Sequence, residues 1–518
     1  MMDKRYVVGV DVGTSTVKAV FVDTKENKIA TTQLTEVFPV KCEKKEYIEY
    51  DAADWQRCVR EVLERGFATA GINPEEVAGV CFDDPAVMAF LVKEDGTPVY
   101  NPVHYNDMRH LETMDQLEAL VGELCVERNA NYITMYNGLA KQYWWKEKQP
   151  ELYARTDYFT TATSWIAHQL TGKWVMNMQT AGFYGQYNAH TRRWDEEIMA
   201  KAGLDPRKFP PLVEGCSLVG CVTARAAGEW GLAEGTKVFA GLDDATPVAL
   251  TCGAINEGDC YISAGSGANV AIISEKVMSH PTAMSYPHCV LGYNMAIAVL
   301  TCTGLSYKWV RNALGAFECA QAALTGEDAY DILNREAASA PAGSNGVIFL
   351  PYLDGDFTPN NDPNARGCFI GLNTTTTKGD MVRAVLEGVA FTFVSSLKMI
   401  RELGGDPKSL AIAGGVARSP LWLQIIADAT GMPISLPAET EGGPLGSALV
   451  AGVGCGLFKD FRDAVDRVVV IERDKYVPDP ETSKRYAELF AIYDRLYGQL
   501  KPTFGALAEY RERYVKIQ

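Results

Sequence analysis

The sequence predicts an α/β protein with two related lobes, and three observations lead to this fold class. Segments typical of buried strands alternate along the chain with segments whose apolar residues recur at helical spacing. One motif, in which two apolar strands flank a turn of glycine and hydroxyl residues, occurs twice, about 250 residues apart. The chain has 518 residues, of which 47% are hydrophobic and 22% charged, and this is enough for two domains with sizeable cores. We therefore expect one lobe in residues 1–253 and the other in residues 254–518.

The first lobe opens with the first copy of the motif. Strands are predicted at Tyr6–Val10 and Val17–Val22, and the polar residues between them form the tip of a hairpin. Trp55–Ala70 has apolar residues at helical spacing, and a strand follows at Val77–Phe82. Strand and helix therefore alternate from the start of the chain.

The middle of the chain departs from this alternation. Residues from about Met108 to Trp194 are predicted to be mostly helical, as an insertion or cap. A strand returns at Lys237–Ala240, and Val248–Cys252 reads as a helix. The strand leads into Gly241-Leu242-Asp243-Asp244, where a crevice is expected in an open α/β sheet.

The second lobe opens with the second copy of the motif, between Asp259 and Ile273. A long helix is predicted over Met381–Leu403, and the strand Leu410–Ala413 leads into a glycine pair. The tail from Thr482 is charged and helical in pattern, and we assign it no chemistry.

Composition excludes several classes of function. The chain carries 49 Lys and Arg against 65 Asp and Glu, so its formal net charge is −16, which argues against a nucleic acid or an anionic membrane as partner. The thirteen cysteines are odd in number and include no CxxC pair, which predicts reduced thiols and a cytoplasmic location. The uncharged segment Gly442–Phe458 is shorter than a membrane span and reads as closely packed backbone. The six histidines lack metal-ligand spacing, so a zinc site is not expected.

The two turns are candidate phosphate sites, because glycines and hydroxyls let the backbone approach a phosphate chain closely. The first turn supplies Gly13, Thr14, Ser15 and Thr16, with the positive charge of Lys18 nearby. Asp11, before this turn, could hold a cation or its water shell. An ordinary hairpin turn is the alternative for the first turn alone, but the second turn, Gly265, Ser266 and Gly267, suggests a pair that grips a triphosphate. P-loop and dinucleotide-binding motifs are absent from the sequence.

Two pairs of aspartates stand at predicted strand ends. The carboxylate of Asp243 could accept the proton of a hydroxyl during phosphoryl transfer. The alternative is that Asp243 or Asp244 caps the helix that follows. Asp83 and Asp84 are either acceptors for substrate hydroxyls or part of a turn before Pro85.

Taken together, a series of segments in this order resembles the FGGY family of carbohydrate kinases. The resemblance covers roughly residues 5 to 455, and its part from Leu350 to Gly371 is most similar to xylulokinases. The series consists of Asp11-Val12-Gly13-Thr14-Ser15 with Lys18, Tyr105-Asn106-Asp107-Met108-Arg109, Leu170-Thr171-Gly172, Gly241-Leu242-Asp243, Gly265-Ser266-Gly267, the run from Leu350 to Gly367, and Gly414-Gly415-Val416-Ala417-Arg418-Ser419-Pro420.

The resemblance implies two ribonuclease H-like lobes of the actin and sugar-kinase type, with ATP and Mg²⁺ in the cleft between them. Residues 1–253 would bind the sugar, and residues 254–518 the nucleotide. Asp243 would be the general base, and Asp11 would assist with magnesium. The family match places Gly304, Lys308, Gly415 and Ser419 around the nucleotide, and Asp83, Asp84, Asp107 and Asp243 around the substrate.

Three departures from the family pattern bear on the substrate and the second turn. Asp83-Asp84-Pro85-Ala86 stands where xylulokinases have Gln-Met-His-Gly, Tyr105 stands where they have tryptophan, and Ser266-Gly267 stands where Thr-Ser is common.

The expected activity is ATP-dependent phosphorylation of a hydroxyl of a small neutral sugar, with a ketopentose as first choice. Another polyol or a linear metabolite is an alternative substrate. A non-catalytic ATP-driven switch on the actin-like fold is an alternative of a different class. Besides the small-molecule substrate, the predicted partner is a second copy of the chain, in a homodimer.

Overall fold

The computed structural model describes residues 4–44, 46–439 and 442–515, and two large β-sheets organise it. The strands of the first sheet lie between residues 6 and 243, and those of the second between residues 259 and 476. Each sheet has seven strands. The two-lobed α/β architecture expected from the repeated motif is therefore present.

The first sheet is built outward from its first strand. Its strands β1 to β7 are, in chain order, Tyr6–Val12, Val17–Asp23, Lys28–Leu34, Val77–Asp84, Leu218–Cys221, Lys237–Phe239 and Leu242–Asp243. Their spatial order is β5-β6-β4-β1-β2-β3, with β7 paired to β4. The strands β1, β2 and β3 form an antiparallel meander, whereas β4 is parallel to β1 and β6 is parallel to β4.

The second sheet repeats this plan. Its strands β8 to β14 are Asp259–Ala264, Ala268–Ser274, Ala283–Pro287, Asn294–Leu300, Ser409–Gly414, Ile434–Pro437 and Ile471–Tyr476. Their spatial order is β10-β11-β9-β8-β12-β13-β14. The strands β8, β9 and β11 form an antiparallel meander, β12 is parallel to β8, and β13 is parallel to β12. Five strands in each sheet therefore share one order and one set of directions.

Helices and short strand pairs cover these sheets. The helices α1 to α17 are Ala52–Ala70, Met114–Asn129, Gly138–Lys148, Pro150–Arg155, Ala162–Thr171, Met178–Ala181, Glu196–Ala202, Ala224–Trp230, Ala245–Thr251, Gly304–Ala313, Ala316–Thr325, Ala329–Ser339, Lys378–Glu402, Pro420–Thr430, Gly442–Cys455, Phe461–Val468 and Pro480–Tyr514. The short pairs join Lys41–Lys44 to Tyr47–Glu49, Phe90–Val92 to Tyr158–Thr160, Met176–Asn177 to Leu212–Val213, Tyr187–Asn188 to Arg193–Trp194, and Ile348–Leu350 to Cys368–Ile370.

The predicted helices are confirmed, with ends that shift by a few residues. The patterns at 55–70, 248–252 and 381–403 correspond to α1, α9 and α13, and the charged tail is α17. Local chemistry explains some of these ends. Asp51 accepts the Ala53 backbone N–H at the start of α1, and Gly71 ends that helix in the left-handed conformation with φ of 65°.

Two helices pack against the sheet of the other half of the chain. The helix α9 follows the last strand of the first sheet, yet its Ala249 packs in one cluster with Tyr261 and Ala271 of the second sheet. The helix α15 comes late in the chain, yet its Ala448 packs in one cluster with Val7 of the first sheet. Apolar clusters thus contain residues from both sides of the predicted domain boundary at residue 253. The boundary itself stays a prediction.

The approach of α15 to the first sheet is close enough to require glycine. A Cβ on Gly9 of β1 would lie 1.9 Å from the Pro444 carbonyl oxygen and 2.3 Å from the Ala448 nitrogen. A Cβ on Gly446 would lie 2.2 Å from the Pro247 carbonyl oxygen of α9. The glycine-rich segment read as packed backbone is therefore a helix seated between β1 and α9.

The region from 108 to 194 is mostly helical, as expected, and it adds a separate apolar cluster to the first lobe. All thirteen cysteines are free thiols, seven of them buried. None of the helices in the described ranges combines the length and the apolar composition needed to cross a membrane.

Candidate active site

A cavity of about 670 Å³ lies in the cleft between the lobes. The first lobe contributes Thr14 and the residues that follow β4, and the second lobe contributes Ser266 and Gly267. Both candidate phosphate turns therefore reach the same cavity. Asp244 is the only charged residue among the described residues that line it.

The first turn is tied at its base and presents one residue to this cavity. The Gly13 N–H donates to the Thr16 carbonyl oxygen at 3.0 Å, and the Ser15 carbonyl oxygen accepts the Phe38 N–H at 2.8 Å. Of the four turn residues predicted to hold phosphate, Thr14 lines the cavity, whereas Gly13, Ser15 and Thr16 shape the turn around it.

The second turn is anchored to the start of α10. The Ser266 carbonyl oxygen accepts the N–H groups of Thr303 and Leu305, each at 3.0 Å, and the Gly265 carbonyl oxygen accepts the Gly304 N–H at 3.0 Å. A Cβ on Gly304 would lie 2.3 Å from that Gly265 oxygen, so the contact excludes any larger residue. The turn is therefore fixed in place by a helix that needs glycine at its first position.

A second cavity, of about 310 Å³, lies on the other side of this turn. Gly265, Gly304, Gly415 and Ser419 line it, so three of the four positions predicted to surround a nucleotide, together with a phosphate-turn residue, come together here. Lys308 is exposed on α10 and is not among the described residues that line this cavity, and its place beside the nucleotide stays a prediction.

Several residues that line this second cavity are not predictable from the sequence pattern. Asn334 lines it from α12, and its Oδ1 accepts the hydroxyls of Ser419 at 3.1 Å and Tyr307 at 2.9 Å. Arg418 and Tyr330 line it as well. Arg418 belongs to a quoted family segment, but Asn334 and Tyr330 lie on a helix whose pattern carries no signal beyond its apolar face.

The structure separates the roles of the adjacent aspartates at the end of β7. Asp243 is fully buried, and its Oδ2 accepts the N–H groups of Ala245 at 3.0 Å and Thr246 at 3.2 Å. Its Oδ1 accepts the Thr246 hydroxyl. Asp243 thus makes the helix-cap contacts that were the alternative to a catalytic role, and it does not line the cavity among the described residues.

Asp244, one residue later, has its side chain exposed to the cavity. Desolvation by the surrounding protein atoms, followed by the nearby carboxylates of Asp243 and Asp11, raises the pKa of Asp244 above its usual range. The chain turns into α9 between the two aspartates, so Asp244 lines the cavity while Asp243 contacts the helix. The role of Asp243 as general base stays a prediction.

Asp83 and Asp84 are not among the described residues that line this cavity, and their roles as substrate contacts stay predictions. Asp83 is fully buried, and its Oδ2 accepts the Ser447 hydroxyl of α15 at 2.5 Å. Asp84 is fully buried, and its Oδ2 accepts the Thr163 N–H in the first turn of α5 at 2.7 Å. The residues after them, Pro85 to Val87, line the cavity in their place.

Asp107 is also buried, and its role as a substrate contact stays a prediction. Its carboxylate accepts the Nε and an Nη of Arg109 at 2.9 and 2.8 Å and the Ile48 N–H at 2.7 Å. Lys141, fully surrounded by protein, donates to the carbonyl oxygens of Tyr105 and Asp107, each at 2.9 Å. These contacts hold the loop whose Tyr105 and Asn106 do line the cavity.

Asp11 and Lys18 lie opposite each other in the register of β1 and β2, and Asp11 also lies opposite Asp83 of β4. A Cβ on Gly13 would lie 3.6 Å from the Asp11 Oδ1, which places this carboxylate directly under the first turn. No group of three or more His, Cys, Asp or Glu residues in the described part of the chain is arranged to hold a metal ion.

Comparison with protein families places both halves of the chain in one family. Residues 6–251 match the N-terminal domain model of the FGGY family of carbohydrate kinases. Residues 260–455 match the C-terminal domain model of the same family. The resemblance drawn from the sequence segments is confirmed over both lobes.

Individual relatives agree with this match. The chain is 29% identical to the xylulose kinase of Staphylococcus epidermidis over 96% of this chain and 98% of that protein. It is equally 29% identical to the autoinducer-2 kinase of Yersinia pestis, over 95% of this chain and 94% of that protein. The crystal structure of xylulose kinase from Rhodospirillum rubrum superposes with a TM-score of 0.87, at 26% identity over 97% of this chain and 100% of that one. The predicted sugar-kinase fold is confirmed.

Proposed function

The chain belongs to the FGGY family of carbohydrate kinases, and on that premise we propose that it transfers the γ-phosphoryl group of ATP to a hydroxyl of a small neutral sugar or polyol. The observation that supports this proposal is the second turn. Gly265 lines one cavity while Ser266 and Gly267 line the other, so a phosphate chain lying along this turn would pass from the nucleotide side to the acceptor side. Such a path suits in-line transfer between two bound molecules.

Asp244 is the proposed general base. It is the only carboxylate among the described residues that line the acceptor cavity, and its pKa is raised, which increases its affinity for a proton. Thr14 and Ser266 would contact the transferred phosphoryl group from opposite lobes. Closure of the lobes would keep water away from it and limit ATP hydrolysis.

Mg²⁺ is the proposed metal, and the donor set fits it. Magnesium in kinases is usually held by one or two carboxylates together with substrate phosphates and water, so a cluster of three protein ligands is not required. Asp11 lies under the first turn and is close enough to Asp244 to raise its pKa. Asp11 would hold the ion or its water shell, and the ion would neutralise charge on the phosphates.

The lining of the acceptor cavity favours a neutral substrate. No Lys or Arg occurs among the described lining residues, and Asp244 would repel an anionic sugar. A ketopentose is the first candidate, because relatives over the full length are named xylulose kinases. A linear metabolite is the second candidate, because autoinducer-2 kinases match at the same identity.

A coupled assay of ADP release over ketoses, aldoses and polyols tests the proposal. We expect at least one neutral compound to raise the rate of ADP release far above the rate measured without an acceptor. The phosphate ester of that compound should form at the same time. Failure of the whole panel to stimulate ADP release would favour the alternative, an ATP-driven switch without a sugar acceptor.

The choice of base has its own test in a matched pair of variants. Asp244→Asn should lower kcat by about 10² to 10⁴, since a positioned base contributes on that order, and should leave ATP binding nearly unchanged. Asp243→Asn should keep most of the turnover, because asparagine caps a helix about as well as aspartate does. Normal turnover of Asp244→Asn combined with an inactive Asp243→Asn would return the role of base to Asp243.

A further inference from the structure

Two carboxylates meet at the edge of the first sheet that borders the cleft. Asp11 of β1 and Asp83 of β4 are register partners on parallel strands, so their side chains lie next to each other on one face of the sheet. Asp83 has no exposed surface, and the Ser447 hydroxyl of α15 donates to its Oδ2 at 2.5 Å. This hydrogen bond holds one oxygen of the Asp83 carboxylate and leaves the other for a different partner.

The second oxygen of Asp83 lacks such a partner. Asp83 Oδ1 is buried and makes no hydrogen bond to the residues that the structure describes. The charged groups that act most strongly on this carboxylate are those of Asp11, Asp244 and Asp84. A buried carboxylate among other carboxylates is costly unless a proton or a cation neutralises it. The space beside Asp83 Oδ1 therefore bears on which of the two is bound.

The first turn of α15 leaves room beside both carboxylates. Gly443 has only a hydrogen where other residues have a Cβ, and a Cβ there would lie 3.3 Å from Asp83 Oδ1 and 3.7 Å from Asp11 Cγ. No other described side chain comes closer to that point. The Asp11 carboxylate also lies under the first turn, as the distance from Gly13 shows. The two aspartates therefore border one small space next to the proposed phosphate site.

From this arrangement we propose that Asp83 is a second carboxylate of the magnesium site, beside Asp11, and that Gly443 keeps the space between them open for the ion or its water shell. Magnesium is usually bound by one or two carboxylates together with phosphates and water, and this pair and the nucleotide would supply them. The inference rests on the proposed function, which uses Mg²⁺, and adds a residue to it. The second carboxylate distinguishes this chain from the xylulokinase series, which has glutamine at this place.

Metal binding in the absence of turnover tests the inference. The affinity for Mn²⁺, which binds to the same oxygen ligands as Mg²⁺, would be measured by electron paramagnetic resonance on the full chain in complex with ADP. Asp83→Gln removes the charge and introduces the residue of the xylulokinase series. It should lower the Mn²⁺ affinity by about 10- to 100-fold, the usual cost of losing a partner at a metal site. The affinity for ADP in EDTA should not fall, because a negative charge near the phosphates is removed.

Two further variants complete the design. Asp84→Asn is the matched control, because Asp84 is equally buried on the next residue of β4 but accepts the Thr163 N–H on the opposite face of the sheet. It should leave the Mn²⁺ affinity unchanged. Gly443→Ala puts a methyl group into the space between the carboxylates without changing any charge, and it should lower the Mn²⁺ affinity as well.

The outcomes distinguish this inference from the proposal on which it rests. Wild-type Mn²⁺ affinity in Asp83→Gln, or in Gly443→Ala should Asp83→Gln not fold, would mean that a proton neutralises Asp83, and the inference would be wrong. An equal loss of Mn²⁺ affinity in Asp84→Asn would overturn it too, because the effect would not be specific to Asp83. In both cases the kinase activity stands, since the ADP-release assay with sugars decides it separately.

Discussion

Asp84 is a buried carboxylate that serves the fold, although its place at a strand end suggested a substrate contact. Burial raises the pKa of Asp84 to about 7, against about 3.9 for an exposed aspartate. Between these two values the folded state keeps the proton that the unfolded state has lost. The free energy of unfolding should therefore fall as the pH rises from about 4 to 7, by up to about 1.4 kcal/mol per pH unit from this group.

Asp84→Asn removes this titration while keeping an acceptor for the Thr163 N–H. We expect the urea midpoint of the variant to fall less than that of the wild type between pH 5 and pH 7, with substrate ratios unchanged. Parallel pH curves for the two proteins, or altered ratios of kcat/KM between sugars, would show that Asp84 acts at the substrate after all.

The strand ends that border the cleft are predictable from the sequence, whereas the side chains that face the cavity from them are not. The end of β7 was found from its apolar run and glycine, yet two adjacent aspartates follow, and only the turn into α9 decides which one faces the cleft. In the same way, Asp83 and Asp84 are drawn inward by Ser447 and Thr163, which lie 364 and 79 residues away along the chain. No pattern within one strand carries that information.

The two glycine and hydroxyl turns are elements whose role can be tested singly. Thr14→Val and Ser266→Ala each remove one hydroxyl from the cavity lining. Each should weaken transition-state binding by about 0.5 to 3 kcal/mol if that hydroxyl meets the phosphoryl group without water. Steady-state kinetics in ATP and sugar would measure this, and normal kinetics for both variants would make the repeated turn a purely architectural feature.

The start of α10 is a second element whose role in ATP binding can be tested. Gly304→Ala places a Cβ against the backbone oxygen of Gly265, which cannot move aside as a flexible side chain can. We expect the second turn to shift and ATP affinity to fall by about tenfold or more, a loss of roughly 1.4 kcal/mol. Isothermal titration with ATP measures the loss.

Gly505→Ala is the matched control for this change, because nothing lies within 4 Å of a Cβ at that position of α17. Alanine in an open helical position should raise stability by about 0.5 to 1 kcal/mol and leave ATP affinity unchanged. Equal ATP affinity in Gly304→Ala and the wild type would remove the second turn from the nucleotide site.

At the level of elements the sequence was informative where apolar residues are continuous or periodic. The paired hairpins and the helices α1, α13 and α17 follow from such runs. The short strand pairs of two to four residues do not, because segments of that length carry too few residues to show a period. The position of α15 also escaped the analysis, since its small residues indicate close packing without naming the partner.

At the scale of the whole molecule, the helices that pack against the sheet of the other half make the lobes depend on each other. A fragment of residues 1–253 would lack α15 and α16, whose Leu445, Leu449 and Phe461 cover the face of the first sheet formed by Val7 and Val20. We expect this fragment to aggregate or bind a hydrophobic dye when expressed alone. Addition of residues 442–468, joined by a flexible linker, should restore a soluble, cooperatively folding lobe.

The same linker carrying the surface helix Ala316–Thr325, most of which is exposed, is the control and should not rescue the fragment. A stable, monomeric 1–253 fragment would instead support residue 253 as the limit of an independent domain. The cytoplasmic location and the homodimer stay predictions.

The late position of α15 also has a consequence for biosynthesis. A ribosome that has completed the first sheet must still add the 198 residues 244–441 before the helix that covers it begins to appear. At about 5 to 20 residues per second this takes roughly 10 to 40 s. Throughout that interval the nascent chain exposes the valines of β1 and β2 to the surrounding solution. We therefore expect chaperones that bind nascent chains to contact the first lobe for longer than the second lobe.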